Sequence, residues 1–322
     1  MTRSGGTGRD GRSAGSATVG GVAASDDTGG PGPGRVTSPG GVGIATYDLG
    51  GDGPDLLLVH ATGFCGGVLA PLAAGLVDRF HCWAVDLRFH GRSGRPAGPD
   101  FAWSGFASDV LAAVDGLGLD RPAGFGHSCG GASLLLAEER RPGTFRSLYC
   151  FEPVVFPGPP AAAPAHDNPL SAGARRRRET FPSRTDAFVN FSSKPPFGDL
   201  DPDAIAAYVE DGFEVVPGDE GGDGEMVRLR CRREDEAEVY AHGLTHDAFV
   251  GLGRVACPVT LACGADTDSF GPAFLEADAA QLRDASVEIL PGLGHFGPLE
   301  RPAEVAASVR RALGPVAGTP RS

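Results

Sequence analysis

Lysine is nearly absent from this chain: Lys194 is the single one among 322 residues, and every other basic side chain is Arg. Basic residues are outnumbered 28 to 41 by acidic ones, a formal net charge of −13. A chain of that balance carries no basic footprint for a polyanion, so nucleic acid is not an expected partner. Long apolar runs are missing too. No stretch approaches the roughly 18 unbroken apolar residues of a membrane span, and Met1-Thr2-Arg3-Ser4-Gly5-Gly6 leads into no apolar segment fit for a secretory signal. Paired cysteine spacings are absent as well. The seven cysteines (Cys65, Cys82, Cys129, Cys150, Cys231, Cys257, Cys263) are an odd number and sit mostly in apolar surroundings. They are expected to be reduced, as small hydrophobes in a cytoplasmic protein. What is present is ordinary for a globular fold, with 41% apolar and 21% charged residues. The length suits one domain with an insertion.

Along the chain, residues 1–40 are mostly Gly, Ser, Thr, Asp and Arg, with hardly an apolar anchor. Such a segment cannot offset its ordering entropy by burial and is expected to be a disordered tail; residues 317–322 are expected to be a flexible end. The first strand is expected over residues 43–49. Leu56-Leu57-Leu58-Val59 reads as a strand buried on both faces, as parallel sheets require. A helix over 68–77, a strand over 80–87 and an amphipathic helix over 103–117 follow. Strands over 146–151, 258–263 and 287–290 and helices over 273–282 and 303–313 continue the alternation. Repeated strand–helix units predict an α/β fold with a mostly parallel sheet flanked by helices. The rhythm breaks over residues 155–249, where helical pieces at 171–180, 184–191, 202–213 and 232–242 predict an inserted helical cap. The core is then 41–154 together with 250–316.

Within that frame, Gly126-His127-Ser128-Cys129-Gly130 lies between a short apolar segment and the helix-forming run Ala132-Ser133-Leu134-Leu135-Leu136-Ala137. Strand, sharp turn with glycines either side of a serine, then helix is the context of a nucleophile elbow. Side chains at Gly126 or Gly130 would collide with the neighbouring strand and helix. Other small polar segments fall at the ends of expected strands, where open α/β sheets bind ligands: residues 60–64, Glu152, 264–268 and 292–295.

The chain resembles the α/β-hydrolase superfamily, in its esterase-like branch with a helical cap, over residues 42–155 and 250–314. The resemblance is carried in order by His60-Ala61-Thr62-Gly63, Asp86-Leu87-Arg88-Phe89-His90-Gly91-Arg92-Ser93, Gly126-His127-Ser128-Cys129-Gly130-Gly131 and Pro291-Gly292-Leu293-Gly294-His295-Phe296. It departs from the usual pattern at Ala61 and Phe89, where glycine is common. The resemblance implies Ser128 as nucleophile and His295 as general base and then general acid. It implies an oxyanion hole from the backbone N–H groups of Thr62 and Cys129.

The acid that orients His295 has three candidates. The family's usual position after the penultimate strand is occupied by Thr267, flanked by Asp266 and Asp268. Asp268 keeps the more usual spacing to His295 and is the first choice. Glu152, where some members place the acid, is the alternative, then Asp266.

The activity implied is hydrolysis of an ester, lactone or similarly activated carbonyl of a small acyl substrate, with no cofactor and no metal. C–C bond hydrolysis, acyl transfer and perhydrolysis can use the same groups, and a non-catalytic sensor on this scaffold is the rival of another class. Epoxide or haloalkane hydrolysis would need a carboxylate where Ser128 stands. His242 and His246 have helical spacing for a metal pair but lack a carboxylate partner, and Gly243 weakens the helix. Arg175-Arg176-Arg177-Arg178, on an acidic chain, reads as a solvated helix face. The cap aromatics Phe181, Phe188, Phe191, Phe197, Tyr208 and Phe213 are expected to wall an apolar pocket.

Overall fold

Leu56 and Leu58 face one hydrophobic layer, Leu57 and Val59 the other, and all four are fully buried. A strand flanked by apolar layers on both faces has to lie inside a sheet, and that sheet organises the molecule. The computed structural model describes Met1 and residues 33–98, 100–218 and 225–314, and the chain from Pro33 onward forms one unit.

In chain order the elements begin with strands β1 (Gly34–Ser38), β2 (Val42–Gly50) and β3 (Asp55–Val59), then helix α1 (Ala70–Ala74) and strand β4 (His81–Val85). Helix α2 (Trp103–Gly116), β5 (Ala123–His127), α3 (Cys129–Arg140) and β6 (Ser147–Phe151) complete the first half. An insertion follows: α4 (Pro169–Arg175), β7 (Thr180–Phe181), α5 (Arg184–Ser192), α6 (Pro202–Asp211), β8 (Phe213–Pro217), β9 (Glu225–Leu229), α7 (Arg233–Ala241) and α8 (Ala248–Gly251). The core resumes with β10 (Val259–Gly264), α9 (Pro272–Ala279), β11 (Ala285–Leu290), α10 (Gly297–Glu300) and α11 (Pro302–Leu313).

Eight strands form one sheet in the order β1-β2-β4-β3-β5-β6-β10-β11. The β1–β2 and β2–β4 pairs are antiparallel. From β4 to β11 every pair is parallel. One apolar layer joins the sheet to α1 and α11, the other to α2, α3 and α9. Parallel strands joined by helical crossovers put all their carboxyl ends on one edge, where residues 60, 128 and 152 follow β3, β5 and β6 and residue 264 ends β10.

Three expectations are corrected. The ordered chain begins before residue 40: Gly34–Ser38 pairs with Val42–Thr46 of β2, and Val36 packs where a side chain on Gly116 would have to go. Most of the expected tail, residues 2–32, lies outside the described residues, as does the expected flexible end at 317–322. The helix expected over 68–77 is a 3₁₀ turn at Gly66–Leu69 followed by the short α1, which ends at Gly75. The insertion is not purely helical. It holds an antiparallel three-stranded sheet in the order β7-β9-β8, in which Val227 pairs with both Phe181 and Val215. Phe181 and Phe213 are fully buried and Tyr208 is 1% exposed, and all three pack into the same apolar layer as Phe64 and α1.

Candidate active site

The elbow is built by exclusion. Ser128 has φ 54° and ψ −115°, a left-handed backbone that an L-residue holds only when its surroundings over-determine it. A side chain on Gly130 would lie 2.2 Å from the Val59 carbonyl oxygen, and one on Gly126 would lie 2.6 Å from the Gly130 backbone. Helix α3 is therefore pressed against the end of β3, as the two glycines predict. Ser128 N–H donates to the Phe151 carbonyl at 2.9 Å, which anchors the turn to β6. The Ser128 side chain does not cap α3, so its hydroxyl is not committed to the helix it precedes.

His295 follows β11 in a loop turned by Gly292 at φ 70° and pinned by Leu293, which is 1% exposed. Its Nδ1 lies 2.6 Å from Oε2 of Glu152. Glu152 is fully buried and sits at φ 44° just past β6. Gly264 N–H donates to its Oε1 at 3.1 Å and the Thr267 hydroxyl donates to its Oε2 at 2.8 Å. Two neutral donors and the imidazole thus satisfy a buried carboxylate that burial alone would penalise.

The first choice for this position, Asp268, is corrected. Asp268 is exposed on the loop after β10, and its carboxylate accepts from the Ser269 hydroxyl at 3.2 Å. Asp266 is exposed as well, and its backbone N–H is held by the Leu293 carbonyl. The physical reason is Thr267. It occupies the inward position between the two aspartates, and its hydroxyl is spent on supporting Glu152.

Thr62 lies in a turn closed by Phe64 N–H to the Ala61 carbonyl at 3.2 Å, with Gly63 at φ 82°. That left-handed third position is one glycine fills without strain. The Thr62 side chain lies against the Cys129 thiol, so the β3 loop and the start of α3 converge. Cys129 N–H opens α3 without an intrahelical acceptor. Burial pushes the Cys129 thiol up to about 12, which leaves it protonated and a packing group.

Histidines that motif reading passed over fix the surroundings. His60 accepts from Leu87 N–H on Nε2 at 3.0 Å, so its Nδ1 carries the proton donated to the Ala61 carbonyl at 2.7 Å. It thereby ties the β3 loop to the end of β4. His127 Nε2 lies 2.9 Å from the carbonyl oxygen of His295. Burial, then the nearby His295, hold His127 well below its ordinary pKa; the neutral ring donates from Nε2 and supports the backbone of the His295 loop.

Arg177 was also missed, hidden inside an arginine run that reads as solvated. It donates to Glu236 at 2.5 Å and to the Tyr208 hydroxyl at 2.6 Å. A side chain on Gly63 would lie 2.6 Å from Glu236 Oε1 and 3.2 Å from Arg177 Nη1, so this pair rests on the residue next to Thr62. The other pair weighed from the sequence does something else: His242 Nδ1 lies 2.8 Å from the Glu238 carbonyl, and His246 stacks on Trp103. A cavity of about 340 Å³ beside His246, Glu139 and Arg254 opens at the far end of α3, about 16 Å along the helix from Ser128. Among the described residues no helix is long and apolar enough to cross a membrane.

The sequence profile of the alpha/beta hydrolase family matches residues 56–308. The chain belongs to the α/β-hydrolase family. Over 249 residues it is 26% identical to the 2-(acetamidomethylene)succinate hydrolase of Mesorhizobium japonicum, covering 76% of this chain and 83% of that protein. The crystal structure of an E-2-(acetamidomethylene)succinate hydrolase superposes with a TM-score of 0.71 at 23% identity, over 87% of this chain and 98% of the other. The enol-lactonase of Burkholderia xenovorans LB400 superposes at 0.65 and 18% identity, over 87% and 99%. These likenesses show the fold, and with the family match they make this α/β hydrolase an enzyme.

Proposed function

We propose that this α/β hydrolase cleaves an ester, lactone or similarly activated carbonyl of a small acyl substrate through an acyl-enzyme on Ser128. The observation that carries the reading is the 2.6 Å contact between His295 Nδ1 and the buried Glu152 carboxylate, which leaves Nε2 as the ring nitrogen for the serine hydroxyl. In that arrangement Ser128 Oγ attacks the carbonyl carbon while its proton passes to His295 Nε2. The oxyanion is held by the N–H groups of Thr62 and Cys129, each such donor lowering the barrier by about 2.7–4 kcal/mol. His295 then returns the proton to the departing oxygen or nitrogen. Water, deprotonated by the same imidazole, releases the acid and restores Ser128. Glu152 holds the productive tautomer and stabilises the imidazolium. The relative named for hydrolysing 2-(acetamidomethylene)succinate brings amides of small acids into the range of substrates. Seven free, buried cysteines support a cytoplasmic setting.

The decisive experiment is labelling with a fluorophosphonate, with peptide mapping of the adduct. The wild type is expected to label on Ser128 and to release a burst of 4-nitrophenol from a short acyl ester; Ser128→Ala is expected to do neither while melting normally. An adduct that persists elsewhere in the variant overturns the reading.

A further inference from the structure

The insertion places a group of hydrogen-bond donors against the loop that carries Thr62, and the described residues do not supply enough acceptors for it. Arg177 has five N–H groups. One goes to Glu236 and one to the Tyr208 hydroxyl, and the rest have no acceptor among the described residues. Tyr208 receives that bond on its oxygen, so its own proton is still to be placed; the residue is 1% exposed. Tyr240 stands one helical turn beyond Glu236 on α7, on the same face, and its hydroxyl has no partner among the described residues. Burial first, then Glu236, hold that hydroxyl well above its ordinary pKa, so it stays a donor.

The guanidinium is also held in place. Its Cζ lies 5.8 Å from the Phe191 ring centre and 5.9 Å from that of Phe197, and the side chain keeps 19% of its surface open. Two short chains of contact lead from it to the chemistry. One runs through Gly63 to Thr62. The other runs from Phe197 to Phe64 at 5.4 Å, from Phe64 to Phe296 at 5.9 Å, and from Phe296 to His295 at 5.1 Å between ring centres. A planar, permanently charged fork with spare donors, fixed between aromatic faces, matches the geometry of a carboxylate.

We infer that Arg177, with the hydroxyls of Tyr208 and Tyr240, forms an acyl-side subsite for a carboxylate, so that the preferred substrate is the half-ester or half-amide of a short dicarboxylic acid. Glu236 orients the guanidinium and the substrate carboxylate takes its open donors. Arg177 is a binding residue here, touching the end of the acyl chain remote from the scissile bond. The inference rests on the serine-hydrolase reading above for what happens next to that subsite.

The test compares kcat/KM for 4-nitrophenyl hydrogen succinate with that for 4-nitrophenyl butyrate, which has a similar chain and no charge. The wild type is expected to prefer the half-ester. Arg177→Gln is expected to lose about 100-fold on the half-ester, mainly through KM, since a hydrogen-bonded charge contact of this kind is at stake, and to stay within about threefold on butyrate. Arg177→Lys is expected to recover part of the loss. A wild type without preference, or equal losses on both esters, overturns the inference. Should Arg177→Gln fail to fold, Tyr240→Phe removes one donor without changing shape; a loss of roughly tenfold confined to the half-ester supports the subsite, and an unselective effect overturns it. If neither ester turns over and no fluorophosphonate adduct forms, the serine reading falls on its own. Calorimetric titration of succinate into the wild type and Arg177→Gln then decides the subsite: binding lost in the variant supports it, and a wild type that does not bind succinate refutes it.

Discussion

Replacing Glu152 by Gln tests the acid with almost no change in shape. In the wild type Oε1 accepts from a backbone N–H that cannot turn round, that of Gly264, and Oε2 accepts from His295 Nδ1 and Thr267 Oγ1. A glutamine side chain at this position has one oxygen to offer. Facing it toward Gly264 keeps the rigid bond and sets the amide NH₂ against His295. The imidazole must then move its proton from Nδ1 to Nε2 to accept that amide, while Thr267 can rotate to suit. With the proton on Nε2 the ring could not take the proton that the proposed mechanism draws from Ser128. The opposite rotamer keeps His295 satisfied. It also turns the introduced NH₂ toward the Gly264 N–H, two donors facing each other in a buried site, at a cost of about 1–3 kcal/mol.

The first rotamer is therefore favoured, and the variant folds with the wrong tautomer. The loss expected is about 10⁴-fold in kcat, or roughly 5.4 kcal/mol of barrier at 1.36 kcal/mol per decade, with KM nearly unchanged. The assay is steady-state hydrolysis of a 4-nitrophenyl ester by wild type, Glu152→Gln and Asp268→Asn, with each melting curve as a control. Asp268→Asn should keep nearly all activity. A crippled Asp268→Asn beside an active Glu152→Gln would refute the reasoning.

Two further outcomes follow from burial and register. Deleting residues 1–32 leaves β1 whole, whereas deletion through Ser38 strips an edge strand of five paired residues and the Val36 contact on Gly116; the second truncation alone is expected to lower the melting midpoint by several degrees, and equal midpoints would show that β1 contributes nothing. Burial lowers His60 to about 4 and His90 to about 3, and holds His127 well below its ordinary value. Their neutral forms contribute fully above the unfolded value of about 6.5, and that contribution is lost as pH falls from there toward the folded values, by about 2 kcal/mol each for His60 and His90 at pH 5. Burial also raises Glu139 and Asp278 to about 8, which favours the fold as pH falls over this range, so the histidine effect is read as a difference. Relative to His90→Phe, the wild-type denaturant midpoint should lose ground between pH 7 and 5, and parallel profiles refute the account.

What the sequence discloses and what it withholds divide along physical lines. Leu56 to Val59, Gly126 with Gly130, and Leu293 with His295 are local: each constraint lies within a few residues of the atom it places, so the sheet, the turn at Ser128 and the loop that carries His295 can be read from the chain. The edge strand Gly34–Ser38 is short and half polar, and it is ordered by pairing with β2 rather than by its own pattern. The small sheet in the insertion escapes for a similar reason, since Thr180–Phe181 is a two-residue strand that exists only against β9.

Arg177 and Glu152 belong to a third kind. An arginine in a run of four has the same local signature whether it faces water or Glu236, and the partner lies 59 residues away. Glu152 is 143 residues from the imidazole it meets. The one local trace of that pairing is Thr267. A threonine between two aspartates, at the place where this family usually has its acid, is hard to explain as a turn residue. It makes sense once a longer carboxylate reaches in from β6 and needs a hydroxyl beside it. The same requirement argues that Thr267 and Glu152 act together: Thr267→Val, which removes that hydroxyl and keeps the shape, is expected to weaken the hold on His295 without replacing its partner.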